Sequence, residues 1–167
     1  GLINIANKYD DIGEHDKALG YFERSLQIAE KWGDKYHECY ILMGFGIVYL
    51  KKGDYDSALD YLQKSLVIQK ENNLDKDLMF MTIVSLFLTY KHLEKDYDVN
   101  ELDALINISK LFEINFQVYK LLEDKSYLET AYNQVQEKAS AMEEEFSKKF
   151  LSYPIPKAIG EEWEKVK

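Results

Sequence analysis

The residue types that most often carry chemistry are few in this sequence and are not grouped. The three histidines, His15, His37 and His92, stand far apart, so they cannot pair on neighbouring turns of one helix as metal ligands do. His37 precedes Cys39 by two residues, yet residues so spaced on a helix point to different sides. A nucleophilic cysteine would need a basic partner and a pocket, and a small buried residue at the start of a helix is the better interpretation of Cys39. The sequence therefore predicts neither a metal site nor a catalytic residue.

Two further groups resemble ligand sites only superficially. Gly44 and Gly46 flank Phe45, but the longer glycine patterns of phosphate-binding loops are absent. Gly46 is predicted to serve close helix packing, and Gly44 to lie on the exposed helix face. The acidic residues between positions 10 and 16 lack the alternating oxygen ligands of a calcium loop. We therefore expect no cofactor, and we do not expect an enzyme.

The composition narrows the classes of partner. The chain has 167 residues, 46% of them hydrophobic, and a formal net charge of −9. Arg24 is the only arginine, which argues against nucleic acid, because phosphate binding needs clustered basic residues. The acidic balance also disfavours anionic membranes, and no apolar run reaches the roughly 18 to 20 residues that span a bilayer. The single cysteine suits a reducing, cytoplasmic compartment.

An internal repeat organises the first part of the chain. Residues 5–28 and 45–68 align without a gap at an offset of 40. The positions identical in both copies are Tyr9, Gly13, Ala18, Leu19, Tyr21, Ser25, Leu26 and Ile28, which recur as Tyr49, Gly53, Ala58, Leu59, Tyr61, Ser65, Leu66 and Ile68. Such periodicity is typical of stacked supersecondary units.

Each copy has the pattern of a helix, a tight turn and a second helix. In the second copy Leu42, Phe45 and Tyr49 recur at spacings of three and four, which marks one buried helix face. Gly53 and Asp54 then supply a helix stop and an N-cap for the next helix. One such hairpin cannot bury both of its faces, so stacking of neighbouring hairpins is required.

The order of residue types resembles the tetratricopeptide repeat family. A small residue, an aromatic residue, a turn, an alanine and a second small residue appear as Gly46, Tyr49, Gly53, Ala58 and Ser65. The period of 40 is longer than the usual length of about 34, and neither the early tryptophan nor the closing proline is present. The resemblance implies an all-α fold, a superhelical solenoid of three to four helical hairpins.

The later part of the chain follows the pattern less closely. The predicted repeats span about residues 1–37, 38–77, 78–111 and 112–152, and a capping helix spans about 156–166, all in one domain from residue 1 to 167. A helix from 78 to 93 is followed by a short one over 99–111. Ser126 is expected to cap a long helix that runs from 127 to about 150, with Glu129 completing a capping box. Apolar residues of the last helix, among them Ile159 and Trp163, are expected to pack on that helix as a cap.

The final 50 residues or so are similar to the tail of large bacterial signalling proteins. The chain also begins inside a periodic helical pattern, so we expect a fragment of a longer protein. These features indicate the regulatory or docking end of a multidomain protein.

The family resemblance also implies where a partner would bind. Its groove-facing positions on the first helix of each repeat correspond here to Asn4, Asn7, Met43, Ile47, Leu50, Lys51, Val84, Leu88 and Lys91. The family's carboxylate clamp is not reproduced, because Gly44 and Ile47 stand at two of its positions. An exposed apolar groove would suit an amphipathic helix of a protein partner. Coverage of these residues by neighbouring repeats is the other interpretation.

Two functions are consistent with these features. The first is a scaffold for protein–protein interaction. The alternative is a structural spacer or a homodimerisation element, whose groove is filled by its own chain or by a second copy.

Overall fold

In the computed structural model of the protein, residues 1–103 and 111–167 are described, and their regular structure is all helical. This confirms the predicted all-α class. In chain order the helices are α1 (Leu2–Asp11), α2 (His15–Trp32), α3 (Lys35–Lys52), α4 (Tyr55–Glu71), α5 (Lys76–His92), α6 (Asn100–Asp103), α7 (Phe112–Leu122), α8 (Lys125–Ser140), α9 (Glu144–Leu151) and α10 (Pro154–Val166).

The described helices fall into two compact units. Residues 1–10 and 14–103 form the first unit, and residues 11–13 and 111–167 form the second. Consecutive helices pack on one another within each unit. That all four predicted repeats form one continuous domain stays a prediction.

The turns between the first helices use the same chemistry twice. Gly33 and Gly53 end α2 and α3 in the left-handed conformation, with φ of 66° and 79°, which costs little without a Cβ atom. The aspartate that follows each glycine caps the next helix, since Asp34 accepts from the backbone N–H of His37 and Asp54 from that of Ser57. The predicted turn at Gly53 and Asp54 is confirmed.

The cap at Asp54 makes stability depend on pH. Hydrogen bonds from the Ser57 hydroxyl and backbone N–H hold the pKa of Asp54 below its usual value. Because the folded state favours the charged form, the stabilisation is complete above the unfolded pKa and is lost as the pH falls through the lower folded pKa. We expect Asp54→Asn, which keeps an acceptor oxygen, to lose less stability than the wild type below about pH 4. Thermal unfolding at a series of pH values measures this, and parallel curves for the two proteins would contradict it.

Side chains that enter gaps at glycines join α2 to α3 and α3 to α4. The Phe22 ring of α2 lies over Gly44 of α3, where a Cβ atom would come within 2.6 Å of Phe22 Cζ. Gly44 is therefore buried, and the prediction of an exposed Gly44 is wrong, because α2 covers that face of α3. At Gly46 a Cβ atom would lie 2.5 Å from Leu62 Cγ of α4, which confirms the predicted close packing.

A buried polar network joins α4 to α5. The Gln69 side-chain amide donates to Ser65 Oγ at 2.9 Å and to Thr82 Oγ1 at 2.7 Å. Both hydroxyls in turn donate to backbone carbonyls, those of Cys39 and Leu78. All three polar side chains are fully buried, and among the described residues the Gln69 Oε1 atom has no hydrogen-bond partner. The two hydrogen bonds donated by the Gln69 amide link α4 to α5, since an unpaired buried donor would be costly.

The third predicted repeat is described only in part. Its first helix is α5, close to the predicted range of 78–93. Of the predicted second helix at 99–111, α6 covers Asn100–Asp103, and residues 104–110 lie outside the described residues.

The second unit is built around α8. Ile159 of α10 is fully buried in a cluster with Leu128, Ala131 and Val135 of α8, and the Trp163 ring stacks on Tyr132 at 5.3 Å. The predicted packing of the last helix on the preceding long helix is thus confirmed.

Three details of the second unit differ from the sequence predictions. The predicted helix over 127–150 is divided into α8 and α9, because the chain leaves the helix after Ser140 and starts again at Glu144. Its N-cap is Asp124 rather than Ser126, since the Asp124 carboxylate accepts from the Ser126 backbone N–H. The last helix begins at Pro154, two residues before Pro156, because proline fits the first turn of a helix.

Candidate partner-binding surface

The polar residues predicted to face the groove come together on α1 and α3. Asn7 Nδ2 donates to the Tyr40 hydroxyl at 3.3 Å. Farther along the same helices, Lys51 Nζ lies 2.6 Å from Asp10 Oδ2. We call the surface formed by Asn4, Asn7, Ile47, Leu50, Lys51 and Lys91 the first-helix face, since these residues lie on the first helix of each repeat and keep some exposure.

An ion pair and a further histidine contact fix one end of the first-helix face. Asp10 binds Lys51 through one oxygen, and its other oxygen lies 3.0 Å from His15 Nδ1. The Asp10 and Lys51 side chains are only 11% and 19% exposed. Lys51 is therefore a positioned cation that ties α3 to α1. Sequence reasoning missed Asp10 and Tyr40, because both contacts join residues more than 30 positions apart.

The apolar part of the predicted groove is not exposed. Met43, Val84 and Leu88 are buried, with exposed fractions of 2%, 0% and 5%. Met43 packs in a core cluster with Leu62 and Leu78. The expectation that these three side chains line an open apolar groove is wrong.

The physical reason lies in α5, which is apolar around most of its circumference. Its residues from Thr82 to Thr89 are all buried, and a helix apolar on all sides belongs in an interior. The Thr82 and Thr89 hydroxyls donate to carbonyls four residues back. These hydrogen bonds replace those that the hydroxyls would make to water. A glutamate at position 88 would bury an uncompensated charge, and it would unfold the chain rather than only block a partner.

The remaining positions of the first-helix face are mixed in character. Ile47 is half-buried against the same cluster as Met43, and Leu50 is also half-buried. Asn4 and Lys91 are exposed. What is accessible is thus a largely polar surface with two half-buried aliphatic side chains.

Cys39 and His37, the residues considered above as reactive groups, lie in environments that do not favour catalysis. Cys39 is fully buried, and its thiol donates to the Tyr36 carbonyl at 3.1 Å. Burial raises the pKa of this thiol to about 11, which disfavours the thiolate that a nucleophile needs. His37 is exposed and pairs with Asp34. Within residues 1–103 and 111–167, no three His, Cys, Asp or Glu side chains group as metal ligands would.

The second helices of the two repeats leave a cleft on the other side of α3. It encloses about 540 Å³, and we call it the outer cleft. Its lining combines aliphatic and aromatic side chains with acidic ones and one lysine: Leu26, Glu30, Glu38, Leu42, Asp60, Tyr61, Gln63, Lys64, Val67 and Ile68. Of the acids, Glu38 pairs with Lys35 and Asp60 with Lys64.

Comparison with known proteins bears on the first four helices. The family model for the tetratricopeptide repeat matches residues 2–71, which cover α1 to α4. The predicted resemblance to this repeat is confirmed over this range. This repeat is a non-catalytic fold that mediates protein–protein interaction.

Similar segments occur in proteins of different kinds. The chain is 37% identical over 54 residues to the photosystem I assembly protein Ycf3 of Acaryochloris marina, covering 32% of this chain and 31% of that protein. It is 34% identical over 71 residues to the response regulator aspartate phosphatase A of Bacillus subtilis, covering 42% and 19%. It is 29% identical over 68 residues to the human protein O-mannosyl-transferase TMTC1, covering 41% and 7%.

These matches span less than a third of each relative. No solved structure matches the chain. In the described part of the chain, no helix combines the length and the apolar character needed to cross a membrane.

Proposed function

We propose that this protein is a docking module that binds a protein partner through the first-helix face, as the regulatory end of a larger cytoplasmic signalling protein of bacteria. The repeat class supports a protein partner. Two similar proteins are named for their action on other proteins, one for the assembly of photosystem I and one as a phosphatase of response regulators.

The observation that carries the proposal is the fixed polar surface of α1 and α3. The contacts from Asn7 to Tyr40 and from Asp10 to Lys51 hold the two helices in register at two points. A partner segment meets amide and charged groups that are already positioned, which reduces the entropy lost on binding. The half-buried Ile47 and Leu50 offer apolar contact to an amphipathic helix or an extended peptide.

Charge-changing substitutions at the two ends of this face test the proposal. The double variant Asn7→Arg/Lys91→Glu alters polar positions of α1 and α5. Its matched control, Gln27→Arg/Lys70→Glu, makes the same types of change at exposed positions of α2 and α4. We expect affinity capture from the cells that produce the protein to recover the partner with the wild type and with the control. The Asn7→Arg/Lys91→Glu variant should recover at least tenfold less, because it removes the Asn7 amide that contacts Tyr40 and replaces the Lys91 cation by an anion.

Two results would contradict this proposal. One is equal recovery of the same partner by both double variants. The other is a wild-type protein whose mass doubles with concentration in analytical ultracentrifugation and returns to the monomer in Asn7→Arg/Lys91→Glu. That second result would favour homodimerisation through this face.

A further inference from the structure

The outer cleft is a concave surface on α2, α3 and α4 that the proposed function does not use. Leu26 of α2, Leu42 of α3 and Ile68 of α4 line it, so each of three consecutive helices supplies an aliphatic side chain. Val67 of α4 also lines the cleft and is 53% exposed. Concave surfaces with an apolar lining and a few polar groups are the usual form of a binding site.

Carboxylates from the same three helices gather at one end of the outer cleft. Glu38 of α3 lines the cleft, and its carboxylate lies 2.6 Å from Lys35 Nζ. The hydrogen bond to Glu38 raises the pKa of Lys35, and the negative charges of Glu30 on α2 and Glu71 on α4 raise it further. Glu71 stands four residues after Val67, on the same side of α4. One ammonium group is therefore shared by three carboxylates.

The chain itself does not balance the negative charge at this end of the cleft. Lys35 pairs with Glu38, and in the part of the chain that the structure describes neither Glu30 nor Glu71 forms an ion pair. Both side chains are exposed. Lys64, the lysine that lines the cleft, is paired with Asp60. The carboxylates of Glu30 and Glu71 are thus in excess beside an apolar lining.

We propose that the outer cleft binds a segment of a partner protein in which aliphatic residues are flanked by lysine or arginine. The aliphatic side chains of the segment pack on Leu26, Val67 and Ile68, and its cations pair with Glu30 and Glu71. Complementary charge of this kind fixes the register of a bound segment and excludes acidic ones. The proposal adds a second surface, with its own occupant, to the first-helix face.

Two observations favour a partner protein over the other occupants of such a cleft. The tetratricopeptide repeat mediates protein–protein interaction, which supports a protein segment. A second copy of the chain carries the same formal net charge of −9, and like charges oppose association.

Photocrosslinking from inside the cleft, combined with charge reversal at its rim, tests the proposal. Benzoylphenylalanine replaces Val67 in the cells that produce the protein, and mass spectrometry of the product identifies the crosslinked segment. Glu30→Lys/Glu71→Lys reverses the excess charge. Its matched control, Glu129→Lys/Glu137→Lys, makes the same changes at exposed positions of α8.

We expect position 67 to crosslink to a partner segment that carries lysine or arginine beside aliphatic residues. The yield should fall roughly tenfold or more in Glu30→Lys/Glu71→Lys, because this variant places like charges beside the bound segment. The control should give the wild-type yield, since its net charge changes equally but away from the cleft. Far-ultraviolet circular dichroism should show the same helicity in both double variants.

Several results would each overturn the proposal: no protein crosslinked at position 67, a crosslinked segment without basic residues, a crosslink to a second copy of the chain, or equal yields in the two double variants. Asn7→Arg/Lys91→Glu should leave the crosslink at position 67 unchanged, because neither residue lines the cleft. Loss of the crosslink in that variant would assign the segment to the first-helix face instead. The two binding proposals can therefore fail separately.

Discussion

Replacing Phe22 by alanine will lower the free energy of unfolding by about 3–5 kcal/mol. Phe22 is 1% exposed, and its ring fills the space over Gly44 and contacts Phe45. Truncation removes the side chain that joins the second helix of one repeat to the first helix of the next. The cavity left between α2 and α3 cannot close, because the backbones of both helices are held by their other contacts.

Urea denaturation followed by far-ultraviolet circular dichroism measures this loss. Trp32→Ala on the same helix is the matched control, since Trp32 is 78% exposed and its removal should change stability by less than about 0.5 kcal/mol. If Phe22→Ala unfolded with the same free energy as the wild type, the two repeats would not be held together by this contact.

The second large effect is expected at Gly46. Replacing it by valine should lower the free energy of unfolding by about 2–3 kcal/mol, within the range found for overpacked cores. A Cβ atom at this position would lie 2.5 Å from Leu62 Cγ and 3.3 Å from the Ala58 carbonyl oxygen. Leu62 is fully buried, so we expect a larger side chain at position 46 to force α3 and α4 apart.

Gly20 provides the control for Gly46. It lies inside α2, and a Cβ atom there would meet nothing within 4 Å. Gly20→Ala should therefore raise stability by about 0.5–1 kcal/mol, because alanine loses less backbone entropy in a helix. Thermal unfolding should move the midpoints of the two variants in opposite directions. A shift of the same sign in both would show that close packing at Gly46 is not what requires glycine.

The first four helices could be predicted from sequence because their signals are local and occur twice. Gly53 and Asp54 mark a turn by their own backbone preferences, and the offset of 40 repeats the pattern. The small residues Gly46 and Ala58 indicated where two helices approach, and the structure confirms this at Gly46. Local chemistry and periodicity are sufficient for such features.

Exposure of the groove could not be predicted in the same way. Met43, Val84 and Leu88 stand at positions that face outward in a regular repeat, but their burial depends on which other side chains cover them. Likewise Gly44 is buried only because Phe22, 22 residues earlier, lies on it. The break between α8 and α9 carries neither glycine nor proline, so no local residue marked it.

Site-specific photocrosslinking in the cells that produce the protein is the most direct test of partner binding on the first-helix face. Benzoylphenylalanine would replace Asn7 or Lys91 of the first-helix face and, as controls, the exposed Gln27 or Lys70 of the second helices. We predict that the same partner protein crosslinks at positions 7 and 91 and not at 27 and 70. Crosslinks at 27 and 70 alone, or to a second copy of the chain at position 7, would contradict a partner bound on the first-helix face.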